Sequence, residues 1–313
     1  MRPLLTALLF FLLLPLAPAA AQGFSLPAEY AKQVKRYPFI QPYVPDVSGV
    51  SATLGVPYSS PGGSPLRLDV FRPVRSDSLL PPLVLVHGGG WQSGSRSLDS
   101  PLASRLAEGG VCVFCVDYRL SPVAPYPAAV VDVNAALAWV AAHADSLGVD
   151  MSRLTVAGTS AGGQLAALVG ASNGSFPKFL PSGLTVPKVR RVVDVDGVLA
   201  FIHPDSSEGL DRPGRLSSAT LWLGAPMSAD SALWREASPI SHVGEWSAPR
   251  FLFINSGQRR FSAGQAEAVL ALRGLGKSVS VRRFDDSPHT FWLFLPWADN
   301  VASLIINEMQ KKF

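Results

Sequence analysis

The chain has 313 residues, of which 48% are hydrophobic and 16% charged, and its formal net charge is +4. This balance excludes a disordered or purely solvating segment and supplies enough apolar residues for the core of one large domain. Lys and Arg are scattered, with nothing longer than pairs such as Arg259-Arg260 and Lys311-Lys312, so the positive excess does not build the basic stripe that nucleic-acid binding needs.

In chain order, Met1-Arg2 is followed by an apolar run from Leu4 to Leu16 and then by Ala19-Ala20-Ala21. A positive start, a short apolar centre and an Ala-x-Ala site describe a secretory signal peptide over residues 1–21, because the run falls short of the ~20 residues a membrane span requires. Export to the periplasm or medium, with a mature chain starting at Gln22, is the expectation. Residues 22–50 are polar and Pro-containing, with a weak helix around Ala28 to Lys35, and read as an N-terminal extension that could cover a pocket. From residue 51 to 313 apolar, β-branched runs alternate with helix-period segments. Strands are expected at Leu66–Phe71, Pro82–Val86, Val111–Asp117, Leu154–Ala157, Val189–Asp196, Arg250–Ile254 and Ser278–Phe284. Helices are expected at Ala128–Ala144, after Ser160, at Ala263–Leu275 and at Trp297–Lys311. Strands apolar on both faces and alternating with helices imply a mostly parallel sheet covered on both sides. Asn173 to Pro187 reads as loop, and the Ser-, Asp-, Gly- and Pro-rich stretch His203 to Ala219 as a second candidate cover. Cys112 and Cys115 lie three residues apart on one strand, roughly 10 Å from each other, beyond the ~7 Å that a disulfide spans. They read as buried thiols.

The chemistry-bearing pattern is Gly158-Thr159-Ser160-Ala161-Gly162, placed between a strand and a helix. A serine on so sharp a turn needs small residues two before and two after it, and the following helix offers free N–H groups to a reacting carbonyl oxygen. Upstream, His87-Gly88-Gly89-Gly90-Trp91 ends a strand, and its glycines let backbone N–H groups approach a ligand. Gly88, Gly89 and Ala161 are the candidate oxyanion donors. Ser160 as nucleophile needs a histidine to take its proton. Among the five histidines, His289 follows the last strand, where this fold's Ser…acid…His order demands one. His87 reads as structural.

The acid is less direct. The loop after Phe251–Asn255 contains no Asp or Glu, and Arg259 stands where a carboxylate is expected; a guanidinium accepts no hydrogen bond. Asp196, at the end of the strand that follows the nucleophile helix, is the preferred acid. Asp286 is the second choice and Glu267 a distant third. The histidines lack metal-ligand spacing, so no metal site is expected.

These residues resemble a known family. His87-Gly-Gly-Gly-Trp91, Asp117-Tyr118-Arg119-Leu120-Ser121-Pro122 and Gly158-Thr-Ser-Ala-Gly162 are similar to the hormone-sensitive-lipase-like carboxylesterase branch of the α/β-hydrolases. The tail Phe284-Asp-Asp-Ser-Pro-His289-Thr-Phe-Trp resembles its secreted acetyl xylan and feruloyl esterase-like members. The resemblance implies an α/β-hydrolase fold and an ester hydrolase acting through an acyl-serine, with no metal or organic cofactor. Arg119 is expected to fix the upper loops through an ion pair. The partner is expected to be a small-molecule or carbohydrate ester, its acyl group short. Trp91, Phe291, Trp292 and Trp297 are expected near the site mouth, core packing being the alternative for Trp292 and Trp297. Two rival readings remain: a small-amide hydrolase resembling kynurenine formamidase, and a non-catalytic binding protein on the same fold, favoured by Arg259.

Overall fold

The computed structural model describes residues 24–121 and 123–311; residues 1–21, read above as a signal peptide, lie outside them. The chain runs through α1 (Leu26–Gln33), β1 (Gln41–Pro42), β2 (Val50–Ser59), β3 (Leu66–Pro73), β4 (Pro82–Val86), α2 (Ser100–Glu108), β5 (Cys112–Val116), α3 (Ala128–Ala142), α4 (Ala144–Leu147), β6 (Thr155–Thr159), α5 (Ala161–Ser172) and β7 (Arg191–Val195). It continues through α6 (Ser218–Leu223), α7 (Ser231–Glu236), β8 (Arg250–Ser256), α8 (Gln265–Gly274), β9 (Ser278–Phe284), β10 (Phe294–Leu295) and α9 (Ala298–Gln310).

Eight strands form one sheet in the order β2-β3-β5-β4-β6-β7-β8-β9. β2, β3 and β5 pair antiparallel, and every pair from β5 to β9 is parallel. The inner parallel strands β4 to β7 are buried at every position because both faces are covered, whereas the edge strand β9, Ser278–Phe284, is partly exposed. Leu165 of α5, Val133 of α3 and Leu272 of α8 pack on one face, while Leu102 and Leu106 of α2 and Val301 and Ile305 of α9 pack on the other. Cys112 and Cys115 are free, buried and divided between these two faces.

Several elements go beyond the sequence reading, the short β1, α4, α6, α7 and β10 and two longer ones. β2 is a ten-residue antiparallel edge strand, mostly exposed and irregular at Thr53/Val56 and Pro57/Ser59. α2 fills the connection between β4 and β5. Arg119 pairs with Asp132 at 2.8 Å, and a second arginine, Arg96, ties Asp69 and Asp117 together at 2.7 and 2.6 Å. These pairs hold the connections at the sheet's C-terminal edge, where the chemistry lies.

Candidate active site

Four parallel strands end at the same edge of the sheet, and each delivers one part of the site. β6 runs into Ser160, which has φ 53° and ψ −120° and begins α5. That turn is possible only with glycines on either side. A Cβ on Gly158 would sit 2.0 Å from the Gly162 carbonyl oxygen, and one on Gly162 would sit 2.0 Å from that of Val86. β7 runs into Asp196, itself at φ 57°, and β9 leads through a turn to His289. β4 leads to His87 and the glycines.

The strand ends bring Ser160, His289 and Asp196 into one chain of hydrogen bonds. Ser160 Oγ lies 2.7 Å from His289 Nε2, and His289 Nδ1 lies 2.8 Å from Asp196 Oδ2. Asp196 is fully buried. It accepts the Ser256 backbone N–H at Oδ1 (2.8 Å) and the Ser256 hydroxyl at Oδ2 (2.6 Å). Ser256 ends β8, so the strand whose loop lacks an acid supplies donors to the carboxylate instead. Arg259 points away and pairs with Asp205 at 2.8 Å. Asp286 is exposed in the turn before His289, and Glu267 pairs with His203 at 3.4 Å on the surface; His289 Nδ1 takes Asp196.

His87 does not face Ser160 as a base. Its Nδ1 is bonded to the Gly88 carbonyl at 2.7 Å, and its ring stacks on Tyr118 at 4.4 Å. Burial pushes its pKa down to about 4, so it stays neutral. It shapes the loop that presents Gly88 and Gly89. Gly89 has φ 120°, and a Cβ there would collide with the Ser93 carbonyl.

Ser160 opens into a cavity of about 750 Å³ that Gly88, Gly89, Ala161 and His289 also line. Trp91 and Trp292 line it as well, whereas Phe291 and Trp297 do not: both are packed in the core between the sheet and α9. The expectation of a place at the mouth is therefore corrected for Phe291, Trp297 takes the core packing that is its alternative, and Trp292 is both buried and in the cavity lining. Phe291 and Trp297 are needed where α1 and α9 close over the sheet, and Trp297 packs edge-on to Tyr37 at 6.0 Å. The two segments read as possible covers both reach the cavity, through Phe24 and Lys32 from one and Ser207 to Ser218 from the other.

Three supporting residues carry no motif. Phe261 lies flat on the His289 ring, centroids 3.5 Å apart and planes at 7°. Buried Glu29 of α1 accepts the hydroxyl of Thr290 at 3.0 Å, anchoring the N-terminal helix to the residue after His289. Asp99 lies behind the nucleophile turn and accepts the Thr159 hydroxyl at 3.0 Å.

Burial raises the Asp99 carboxyl from 3.8 to about 7, while Thr159 and the neighbouring Trp292 indole pull weakly the other way. Its folded pKa exceeds its unfolded one. Its contribution to stability is therefore complete below about pH 4 and is lost as pH rises through 7. Asp99→Asn is expected to remove that dependence: the stability difference between wild type and variant should shift against the wild type by on the order of 4 kcal/mol from pH 4 to pH 8. Urea unfolding of both proteins across that range measures it, and parallel curves would refute it.

Among the described residues no group of three or more His, Cys, Asp or Glu could hold a metal ion, and no helix is long and apolar enough to cross a membrane.

A parallel sheet flanked by helices, with a serine, a histidine and a carboxylate bonded in series at its C-terminal edge, defines an α/β-hydrolase. The chain belongs to the BD-FAE family, whose model matches residues 68–268. It is 38% identical over 156 residues to carboxylesterase NlhH of Mycobacterium tuberculosis, covering 50% of this chain and 47% of that one. It is 33% identical over 255 residues to esterase LipC of the same organism, covering 78% of this chain and 59% of that one. The chain thus spans about half the length of the curated relatives it matches. Among solved structures, an esterase of Pyrobaculum calidifontis superposes with a TM-score of 0.66 at 26% identity, over 91% of this chain and 90% of its own.

Proposed function

We propose that this protein is an exported serine ester hydrolase that removes short acyl groups, acetyl esters of carbohydrates among them, through an acyl-serine intermediate. The observation that carries the reading is the series Asp196–His289–Ser160, with bonds of 2.8 and 2.7 Å, opening on a cavity rimmed by backbone glycines. Ser160 Oγ attacks the ester carbonyl while His289 Nε2 takes its proton, and Asp196 holds Nδ1–H so that Nε2 is the free acceptor. The carbonyl oxygen becomes an oxyanion held by the N–H groups of Gly88, Gly89 and Ala161. His289 then returns the proton to the departing alcohol. In the second half, water attacks the acyl carbon, gives its proton to His289, and Ser160 leaves with it. Names of esterases among the relatives support the ester, and the bulk of Trp91 and Trp292 in the cavity lining supports a short acyl group.

Diethyl p-nitrophenyl phosphate tests the nucleophile. The expected result is release of p-nitrophenolate stoichiometric with protein and a diethylphosphoryl increment on the peptide containing Ser160. Modification elsewhere, or none, would sink the reading. The carbohydrate part is tested separately by acetate release from acetylated xylan; cleavage of simple esters alone would remove it. Export rests on residues 1–21, and N-terminal sequencing of protein recovered outside the cytoplasm should begin at Gln22.

A further inference from the structure

The segment that lines the cavity through Ser207 to Ser218 carries an arrangement that folding alone does not favour. Arg212 and Arg215 face each other across the turn Pro213-Gly214, each donating its backbone N–H to the other's carbonyl at 2.9 Å. Gly214 takes the left-handed conformation, φ 72°, that such a turn needs at its third position. Residues directly opposed in an antiparallel bridge project their side chains to the same side, where like charges repel. Both arginines line the cavity that holds Ser160. Neither makes an ion pair among the described residues. The neighbouring arginines differ: Arg259 is matched by Asp205 at 2.8 Å and Arg260 by Glu208 at 3.9 Å, both acids coming from this same covering segment. Asp211, the carboxylate nearest in sequence, accepts from Ser217 N–H at 2.7 Å and from Thr220 Oγ1 at 2.9 Å. One segment therefore neutralises two arginines of the loop after β8 and leaves its own two, both exposed, unmatched in the lining of the cavity that holds Ser160.

We propose that Arg212 and Arg215 form a carboxylate-binding clamp, and that the preferred substrates are esters carrying a carboxylate remote from the scissile bond. The inference rests on the ester-hydrolase reading and names the substrate class of that site. Two guanidinium groups on one side of a turn offer paired N–H donors to one planar anion, the geometry in which charge-assisted hydrogen bonds are strongest. The carboxylate can belong to the acyl half, as in a dicarboxylic acid monoester, or to the alcohol half, as in an acylated acidic sugar.

The test compares near-isosteric pairs in which a carboxylate is replaced by a primary amide. For the acyl half the pair is monoethyl adipate and ethyl adipamate; for the alcohol half it is 4-acetoxybenzoate and 4-acetoxybenzamide. Wild type is expected to favour the anionic member of one pair by about tenfold or more in kcat/KM, mainly through KM, with the preference shrinking as salt is added. The pair that shows it identifies the half that carries the charge. Arg212→Gln/Arg215→Gln is expected to lower the anionic-to-neutral ratio to near unity, whereas Arg259→Gln, which removes an arginine already matched by Asp205, should leave that ratio as in wild type. Equal rates on both members of both pairs, or a preference that survives the double substitution, overturns the clamp while leaving the esterase intact. Absence of Ser160-dependent turnover for every ester, p-nitrophenyl acetate included, overturns the esterase reading and the clamp with it.

Discussion

Replacing Ser160 with alanine is expected to lower kcat for p-nitrophenyl acetate by about a millionfold. The hydroxyl is the atom that forms the acyl bond, and its 2.7 Å bond to His289 Nε2 is what makes it nucleophilic at neutral pH. Alanine keeps the Cβ and so asks nothing new of the turn, in which residue 160 already sits at φ 53° with its N–H bonded to the Val195 carbonyl at 2.8 Å. The variant should unfold at the wild-type temperature. Because serine and histidine act as one unit, Ser160→Ala/His289→Ala should be no slower than either single variant. What remains should be the modest turnover that the N–H groups of Gly88, Gly89 and Ala161 support without a nucleophile. Spectrophotometric rates for the three variants decide this. A Ser160→Ala protein keeping more than about a hundredth of wild-type activity would place the chemistry elsewhere.

The parts of the molecule legible in the sequence are those whose physics is local. Pro82–Val86 is apolar at every position because β4 is covered on both faces, and Ser278–Phe284 matches β9 end to end. The glycines around Ser160 are legible because the turn leaves no room for a Cβ. β2 was not, because an exposed, bulged edge strand containing Gly55 and Pro57 has no period of two to detect. α2 was not, because it is only nine residues long, its buried side is built from two leucines with small alanines and a serine, and it follows a loop rich in serine. The same boundary runs through the site. Ser160, His289 and the glycine loop have signatures, and the position of Asp196 at a strand end made it preferable to Asp286. Ser256, Phe261 and Glu29 support these residues from β8, the following loop and α1, and nothing about their own neighbours in sequence marks them. The arginine at 259 read as a gap in the machinery only while the acid was sought on β8; with Asp196 bonded to His289 from β7, Arg259 is free to pair with Asp205.

Asp196→Asn is expected to lower kcat about ten-thousandfold while leaving the fold intact, and the hydrogen bonds say why an amide is not an adequate replacement. Asp196 receives three donors: Ser256 N–H at Oδ1, and the Ser256 hydroxyl and His289 Nδ1–H at Oδ2. An asparagine has one oxygen. The Ser256 backbone N–H cannot rotate, so the amide oxygen is held at the Oδ1 place and the NH₂ group falls where Oδ2 was. The Ser256 hydroxyl can turn to accept from it. His289 can meet an NH₂ only by presenting Nδ1 as an acceptor, which moves the ring proton to Nε2. An imidazole protonated at Nε2 cannot take the proton of Ser160, so the loss falls on kcat rather than on binding. The carboxylate also ceases to stabilise the imidazolium that forms during attack. Asp286→Asn, altering an exposed residue of the preceding turn, is expected to change kcat less than about twofold. Measuring both variants on p-nitrophenyl acetate, with thermal unfolding as the control for folding, separates the two acids. A collapse of activity in Asp286→Asn with Asp196→Asn near wild type would mean that the bond from His289 to Asp196 is not the one that works during turnover.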